Sequence, residues 1–490
     1  MLKKKLSQVA GKSADARSPF IDSLKRTFPE KRSRFLMKTA CIILAGGAGK
    51  RMKSERPKVL AEVLCRPMLG WVLGAAEEFG FDEVSVVTGY KAELTGEYIA
   101  SRGGKVTVCH QQEQKGTGDA VKSAEEVIRR CDAVCVLNGD APFIDAGTLR
   151  ASLEMHQKSG SEVTVITADI DDPQGYGRII RENGEFTAIR EQKDCSPQEA
   201  EICEVNSGAY WFSAQKLLEA LPKLSTNNAA GEYYLTDCVE LMSHRAAYKS
   251  ANPDIVLGAN TRGALLELNQ LARFRKLSRL MDEGVSFITL DGIIIGADVN
   301  IGCDTTILPN TVILGNTTIG KGCTIGANSH IENCTIGDNV QLNNVQAYDS
   351  TVENNVRIGP FAQLRPGTTI REGVKIGDFV EIKNSDIGVN TAVAHLTYVG
   401  DSDVGRGVNF GCGCVTANYD GINKFRTKIG DHAFIGCNTN LIAPVEVGEN
   451  ATTAAGSTVT KNVPANSLAV ERGQMRVIEN WGKNALRRKK

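Results

Sequence analysis

From residue 295 onward the chain counts in sixes. Ile295, Ile301, Ile307, Ile313, Ile319, Ile325 and Ile331 stand six residues apart, and Val352, Ile358, Leu364, Ile370, Ile376 and Ile382 keep the interval. A third run resumes at Ile429, Ile435, Leu441 and Val447. A period of six fits neither an α-helix nor the simple alternation of a half-buried strand. It is the interval of hexapeptide repeats, in which short strands wind into a parallel β-helix and each buries one aliphatic side chain in a continuous stack. Glycine follows many of these positions, and small residues let the chain turn between faces.

Ahead of this repeat the pattern differs. ACIILAG, EVSVVTG, KVTVCH, AVCVLNGD and EVTVITADI are rich in Val and Ile and closed by Gly or polar residues, as strands are. Segments that favour helix, such as Met68–Phe79 and Ala120–Arg130, lie between them. The alternation predicts an α/β domain with a mostly parallel sheet, whose ligands bind beyond the carboxyl ends of the strands. Neither Gly nor Pro interrupts Ala264–Glu283, which predicts a connecting helix, although its apolar positions are not confined to one face. At 490 residues the chain exceeds what one core usually holds. The expected division is 37–261 for the α/β domain, 262–284 for the linker helix and 285–490 for the β-helix with a C-terminal tail. Residues 1–36, with ten Lys and Arg against three Asp and Glu and no apolar core of a secretory signal, are expected to be a basic, disordered extension.

Net charge is zero, so composition offers no electrostatic case for nucleic acid or an anionic membrane as partner. No apolar run approaches the roughly 20 residues that span a bilayer. The 14 cysteines are scattered, without a Cys-x-x-Cys, and read as small buried residues in a reducing compartment. A cytoplasmic protein is the expectation.

The stretch LAGGAGKRMKSERPKVL, Leu44 to Leu60, follows the first strand and carries three glycines in four residues. Such a loop cradles phosphates through its main-chain N–H groups. It has neither the third glycine of a Rossmann turn nor the Gly-Lys-Ser/Thr of a Walker loop. Arg51 and Lys58 add the cations that a triphosphate, with about four negative charges, requires near an attacking anion. Downstream, QQEQKGTGDA offers a Gly-Thr-Gly turn for close main-chain contact, and VLNGD ends a strand in Asp140, suited to a hard cation such as magnesium. YGRI, REQKD and EVNSG follow in order. Singly, Asp140 also reads as a cap, Glu191 as a solvated charge and Asn206 as a turn residue.

On the repeat, AHLTYVGDSDVG carries His395 and Tyr398, and CVTANYDGINKFRTKIG interrupts the count before it resumes at Ile429. A neutral imidazole is the usual general base near pH 7. Arg365 and Lys383 offer cations for a sugar phosphate, and Asn418-Tyr419 polar contact, whereas His330 and His432 read as structural.

The order of these motifs carries a resemblance. The loop resembles the signature of sugar-1-phosphate nucleotidyltransferases, L-A-A-G-x-G-T-R-M followed by P-K-V-L. With GTGDA, NGD, YGRI, VNSG, NNAAGEYYLTD and the hexapeptide half, the chain from Met37 to Trp481 is similar to the bifunctional bacterial N-acetylglucosamine-1-phosphate uridylyltransferases and glucosamine-1-phosphate N-acetyltransferases. The fold implied is a Rossmann-like α/β nucleotidyltransferase domain followed by a left-handed parallel β-helix. The activity implied is acetyl-CoA-dependent acetylation of glucosamine 1-phosphate, then uridylyl transfer from UTP with pyrophosphate release, supplying UDP-N-acetylglucosamine for peptidoglycan and lipopolysaccharide.

By the same resemblance, Arg51 and Lys58 bind the UTP phosphates within the loop of Leu44, Ala45, Gly46 and Gly47, while Gln111, Gly116 and Thr117 hold the uracil. Asp140 and Asn260 ligate magnesium, and Gly177, Glu191 and Asn206 contact the sugar. His395 is the acetyltransferase base; Arg365, Lys383, Tyr398 and Asn409 bind the sugar phosphate; Cys412, Asn418, Tyr419, Cys437, Ala455 and Arg472 line the acetyl-CoA side. Cys412 is read there as an inert small residue. A homotrimer is implied too. The chain departs from the pattern at Gly46-Gly47-Ala48-Gly49-Lys50, where Ala-Gly-x-Gly-Thr is usual, and at Asn138, where Tyr is usual. Two rival readings compete: a single nucleotidyltransferase with a regulatory β-helix, against which His395, the NYDG loop and Arg472 stand, and a non-catalytic scaffold, against which the intact Arg51, Lys58 and Asp140 stand.

Overall fold

The computed structural model describes residues 37–228 and 231–481; the extension expected over residues 1–36 lies outside them. All five expected strands form. The main sheet runs Arg245–Lys249, Val163–Asp169, Glu204–Ser213, Ala133–Asn138, Thr39–Ala45, Glu83–Thr88, Val106–His110. Alternate residues of the first strand face opposite ways, Ala40 and Ile42 into one apolar layer, Cys41, Ile43 and Ala45 into the other. Both faces are covered, which is why these strands read as unbroken apolar runs.

Glu204–Ser213 is antiparallel to both its neighbours and was not expected as a strand. Its start, EVNSG, reads as a turn because Gly208, at φ +75°, sits in a bulge where the register shifts between Asn206 and Ala209. A hairpin of Arg178–Glu182 and Glu185–Arg190 hangs from the same strand. Met68–Phe79 is helical as expected and ends at left-handed Gly80. The helix expected over Ala120–Arg130 is two short ones, Thr117–Lys122 and Glu125–Ile128. Ser123 turns its hydroxyl back to the Asp119 carbonyl, and Ala124 leaves the helical region.

The connecting helix spans Arg262–Asp282, its first turn capped by Thr261, whose hydroxyl accepts the Ala264 N–H at 3.2 Å. It serves two cores. Leu265, Leu268 and Ala272 pack with Met52, Val63, Met68 and Phe143 of the front domain, whereas Leu277 and Leu280 close the end of the β-helix stack. The apolar residues off that line, Leu266, Phe274 and Met281, are exposed, which accounts for the blurred amphipathic pattern. Lys276 is buried with its ammonium donating to the Ala297 and Val299 carbonyls, and burial pushes it down to about 8.

Beyond the helix, three parallel sheets of 11, 10 and 9 strands wind together, each strand pairing with the third one on until the end, where Thr452–Thr453 pairs with the second one on, Leu468–Ala469. The Ile295 and Ile313 strands pair, then Ile313 with Ile331 and Ile331 with Ala347. The stack continues through the gaps in the six-residue count. Ile336, Leu342, Ala347 and Val352 bridge the first, and Ile387, Val393, Val399, Val404, Phe410 and Thr416 the second, several after a step of five. Corners turn through left-handed residues, among them Asn310, Asn328, Asn339, Asn390 and Asn438, since asparagine tolerates that region better than most side chains. Of the cysteines, Cys41, Cys135, Cys238, Cys323, Cys334 and Cys414 are buried as expected; Cys65, Cys203, Cys303 and Cys437 are exposed, because they stand at turns and corners rather than in the stacks.

The buried histidine is neither His330 nor His432 but His156, whose Nδ1 lies 2.9 Å from the Thr164 hydroxyl and whose protonation burial pushes down to about 4. The unfolded chain takes up that proton near pH 6.5, so stability is complete above 6.5 and falls toward pH 4. Urea unfolding followed from pH 7 to 4.5 is expected to lose about 2 kcal/mol through this group, and His156→Gln to remove that part of the slope.

Candidate active sites

The first strand delivers the glycine loop at the carboxyl edge of the sheet. Gly46 is buried, its carbonyl accepting the Tyr90 N–H at 3.0 Å. Gly49 turns the loop at φ +57°, and a Cβ there would meet the Lys58 Cβ at 2.6 Å; glycine lets the loop fold back on Lys58. Arg51 is exposed on a single 3-10 turn, Lys50–Met52, that buried Met52 anchors. Lys58 donates to Asn260 Oδ1 at 2.9 Å and pairs with the Asp140 carboxylate. Asp140 follows the Ala133–Asn138 strand and Asn260 stands just before the connecting helix, so three residues far apart in sequence meet at one point.

Gln111 is buried at the end of the Val106–His110 strand. Its Nε2 donates to the Gly116 carbonyl at 3.1 Å and to Asp119 Oδ2 at 2.8 Å, which leaves Oε1 beside Gly46. Gly116, at φ +120°, has no room for a Cβ, which would lie 2.5 Å from the Tyr233 oxygen. The Gly118 N–H donates to that same carbonyl, and Thr117 Oγ1 accepts the Leu235 N–H at 3.0 Å.

Gly177, Glu191 and Asn206 also come together. The Asn206 N–H donates to the Gly177 carbonyl at 2.8 Å, and a Cβ on Gly177 would lie 3.6 Å from both Asn206 Cβ and Glu191 Oε1. Burial pushes the Glu191 carboxyl up, opposed by the Thr236 hydroxyl 3.5 Å away. The Asn206 amide is pinned, donating to the Tyr210 hydroxyl at 2.6 Å and accepting the Gly208 N–H at 3.0 Å. Asn138 lies against Gly208, where a Cβ would come within 2.1 Å of its amide nitrogen.

On the β-helix, Arg365, Lys383 and Gly400 hold equivalent positions on successive rungs. The Tyr398 ring fills the space over Gly400, where a Cβ would lie 2.3 Å from its hydroxyl. Lys424, from the excursion that interrupts the repeat, stands beside Lys383 and pushes that ammonium below its ordinary value. Arg365 pairs with Glu381 at 2.8 Å. Burial would raise the Asp401 carboxyl, but hydrogen bonds from the Asn384 and Asn418 amides and the charges of Lys383 and Lys424 hold it below the usual range. A crowd of like charges suits an anionic ligand.

His395 ends the Ala392–His395 strand, its Nδ1 2.5 Å from Asp378 Oδ1 on the preceding rung. Cys412 stands on the following rung, where the Gly413 N–H donates to the His395 carbonyl at 3.4 Å, and Cys437 one rung beyond, where the Asn438 N–H donates to the Cys412 carbonyl at 2.8 Å. Ala455 comes next, its nitrogen close over Gly436. Asn409 is exposed at the start of its strand, Tyr419 is exposed on the excursion, and buried Asn418 is turned to Asp401. Arg472 is not drawn in: it lies exposed in the tail after the last strand, Leu468–Ala469.

The family model for a MobA-like NTP transferase domain matches residues 41–239, and that for bacterial transferase hexapeptides (six repeats) matches 298–333, 349–384 and 426–461. The chain is 45% identical over 446 residues to the bifunctional protein GlmU of Acetivibrio thermocellus, covering 90% of this chain and 96% of that one. With the bifunctional protein GlmU of Clostridium novyi the identity is 44% over 450 residues, 91% of this chain and 98% of the other. The chain belongs to the GlmU family. It is therefore a bifunctional enzyme of UDP-N-acetylglucosamine synthesis, with a nucleotidyltransferase domain in front and an acetyltransferase on a left-handed β-helix.

Membership in the GlmU family excludes the two rival readings, and the geometry adds residues that the motifs did not single out. Asp119 fixes Gln111, Tyr210 and Thr236 back the sugar-side trio, Asp378 meets His395 and Lys424 joins Lys383. Asp119, Thr236 and Lys424 lie inside motifs already quoted; Tyr210 and Asp378 are brought in by folding alone. Gly49→Ala is expected to lower kcat/KM for uridylyl transfer by about tenfold or more, since its strain and clash are of order 1–3 kcal/mol. Acetyl transfer, measured on the same sample, should not change.

Proposed function

We propose that the two reactions divide between the two sites residue by residue. In the front site Arg51 and Lys58 neutralise the UTP phosphates, and Gln111, Gly116 and Thr117 receive the uracil. Gly177, Glu191 and Asn206 receive N-acetylglucosamine 1-phosphate. A sugar-phosphate oxygen attacks the α-phosphorus in line, and pyrophosphate leaves with the electron pair of the broken P–O bond. No protein nucleophile is needed; positioning and charge neutralisation supply the rate. The observation that carries this reading is the meeting of Lys58, Asp140 and Asn260.

The same meeting fits magnesium. A carboxylate and an amide carbonyl, two hard oxygen donors, converge closely enough to share one ammonium, and the remaining ligands of such a site are phosphate oxygens and water. Held there, the ion supplies positive charge where the phosphates gain negative charge.

On the β-helix Arg365, Lys383, Lys424, Tyr398 and Asn409 bind the phosphate and hydroxyls of glucosamine 1-phosphate. Asn418, Tyr419, Cys412, Cys437 and Ala455 line the acetyl-CoA side, and Arg472, outside this cluster within one chain, reaches it from a neighbouring chain of the homotrimer. The sugar amine attacks the thioester carbon, His395 takes its proton, and the C–S bond breaks with the pair on sulfur, which is then protonated as coenzyme A leaves. A cytoplasmic homotrimer is part of the proposal. Its support is the apolar column Phe361, Phe379 and Leu396, more than half exposed on rungs that share a corner with His395, and Ile422, 86% exposed at the tip of the excursion.

Two assays on purified protein test this. His395→Ala should abolish thiol release from acetyl-CoA with glucosamine 1-phosphate and spare pyrophosphate release from UTP; Asp140→Ala should do the reverse. A chelator should silence only the second reaction. Loss of both activities in either variant would refute the two-site assignment.

A further inference from the structure

We propose that Asp378 is the positioning residue of acetyl transfer: it holds His395 with Nδ1 protonated, so that Nε2 faces the sugar amine as the base. The inference rests on the acetyltransferase reading above and names a residue that reading does not use.

The ladder sets the pair. Asp378 and His395 are register partners on adjoining rungs, and each is followed by a bulky residue in the left-handed region, Phe379 at φ +57° and Leu396 at φ +46°. Bulky side chains rarely adopt that conformation, and its cost is tolerated where the backbone must aim something. Here both corners turn together and carry the two polar side chains along one column. The His395 main chain is tied down by the Thr397 hydroxyl, which donates to its carbonyl at 2.7 Å.

The imidazole itself is 59% exposed and would be free to swing without a side-chain partner. The rungs on either side carry Asp378 before it and Cys412 after it. Asp378 Oδ1 lies 2.5 Å from Nδ1, and the contact holds the Asp378 carboxyl below its usual range, so it is a carboxylate. A carboxylate only accepts, so Nδ1 carries the hydrogen and Nε2 of the neutral ring has the free lone pair. As the amine attacks, its proton passes to Nε2, and the negative charge beside Nδ1 stabilises the imidazolium until the departing sulfur takes the proton.

Asp378→Asn keeps the shape and removes the charge. It is expected to lower kcat of acetyl transfer at least tenfold with KM for both substrates within about twofold, and to move the acid limb of the kcat pH profile to lower pH. Asp378→Glu should recover part of the rate. Uridylyl transfer and the melting temperature should match those of the unaltered protein. A kcat and acid limb unchanged in Asp378→Asn would overturn the proposal, as would a loss confined to KM. The parent reading fails separately, if His395→Ala still transfers acetyl groups.

Discussion

The aliphatic stack inside the β-helix sets the height of every coil, because each inward side chain must land on the one before it. Burying a side chain the size of Ile contributes about 1.5–3 kcal/mol, and a slip of one residue would turn it outward. Over rungs from Ile295 to Val459 that penalty is repeated many times, and it fixes the register that the backbone hydrogen bonds between rungs then follow. What stands on the outside is then decided by the same ladder. Arg365 meets Lys383, and Asp378 meets His395, because the aliphatic residues beside them are paired.

The front domain solves a different problem by a different device. Its strands are buried on both faces, which leaves the loops at their carboxyl ends to carry polar chemistry. Gly49 lets one loop close on Lys58, Gly139 lets its backbone pass close to the Leu44 carbonyl, Gly258 lets backbone approach Asp140, and the ammonium, carboxylate and amide meet where no single stretch of chain could bring them. The connecting helix joins the two arrangements by lending one end to each core. Hydrogen bonds reinforce the join: the Ala297 N–H donates to the Leu64 carbonyl at 3.1 Å, and the Asn269 side-chain Oδ1 accepts the Leu64 N–H at 2.8 Å.

Much of this was legible beforehand, for reasons that particular residues make plain. A six-residue interval marked by Ile is visible to the eye, so the β-helix was clear, yet its continuity through Ala347 and Thr416 was not. Those positions are inward but small or polar, and steps of five break the count. Loops that act as contiguous stretches, such as Gly46–Arg51 and Gly116–Thr117, were readable from local chemistry and resemblance. Asp378 and Tyr210 were not, since each matters through a partner that only the folded chain supplies. The Glu204–Ser213 strand was hidden by its own bulge.

The excursion between Ala417 and Thr427 leaves one face of a coil and rejoins at the next face of the same coil, closed at its base by the Tyr419–Lys424 bridge and by the Phe425 N–H donating to the Asn418 carbonyl at 2.9 Å. Residues added or removed beyond that closure leave the winding beneath untouched. The arm and the scaffold that carries it are thus built as separate parts, one free to change length without unwinding the other.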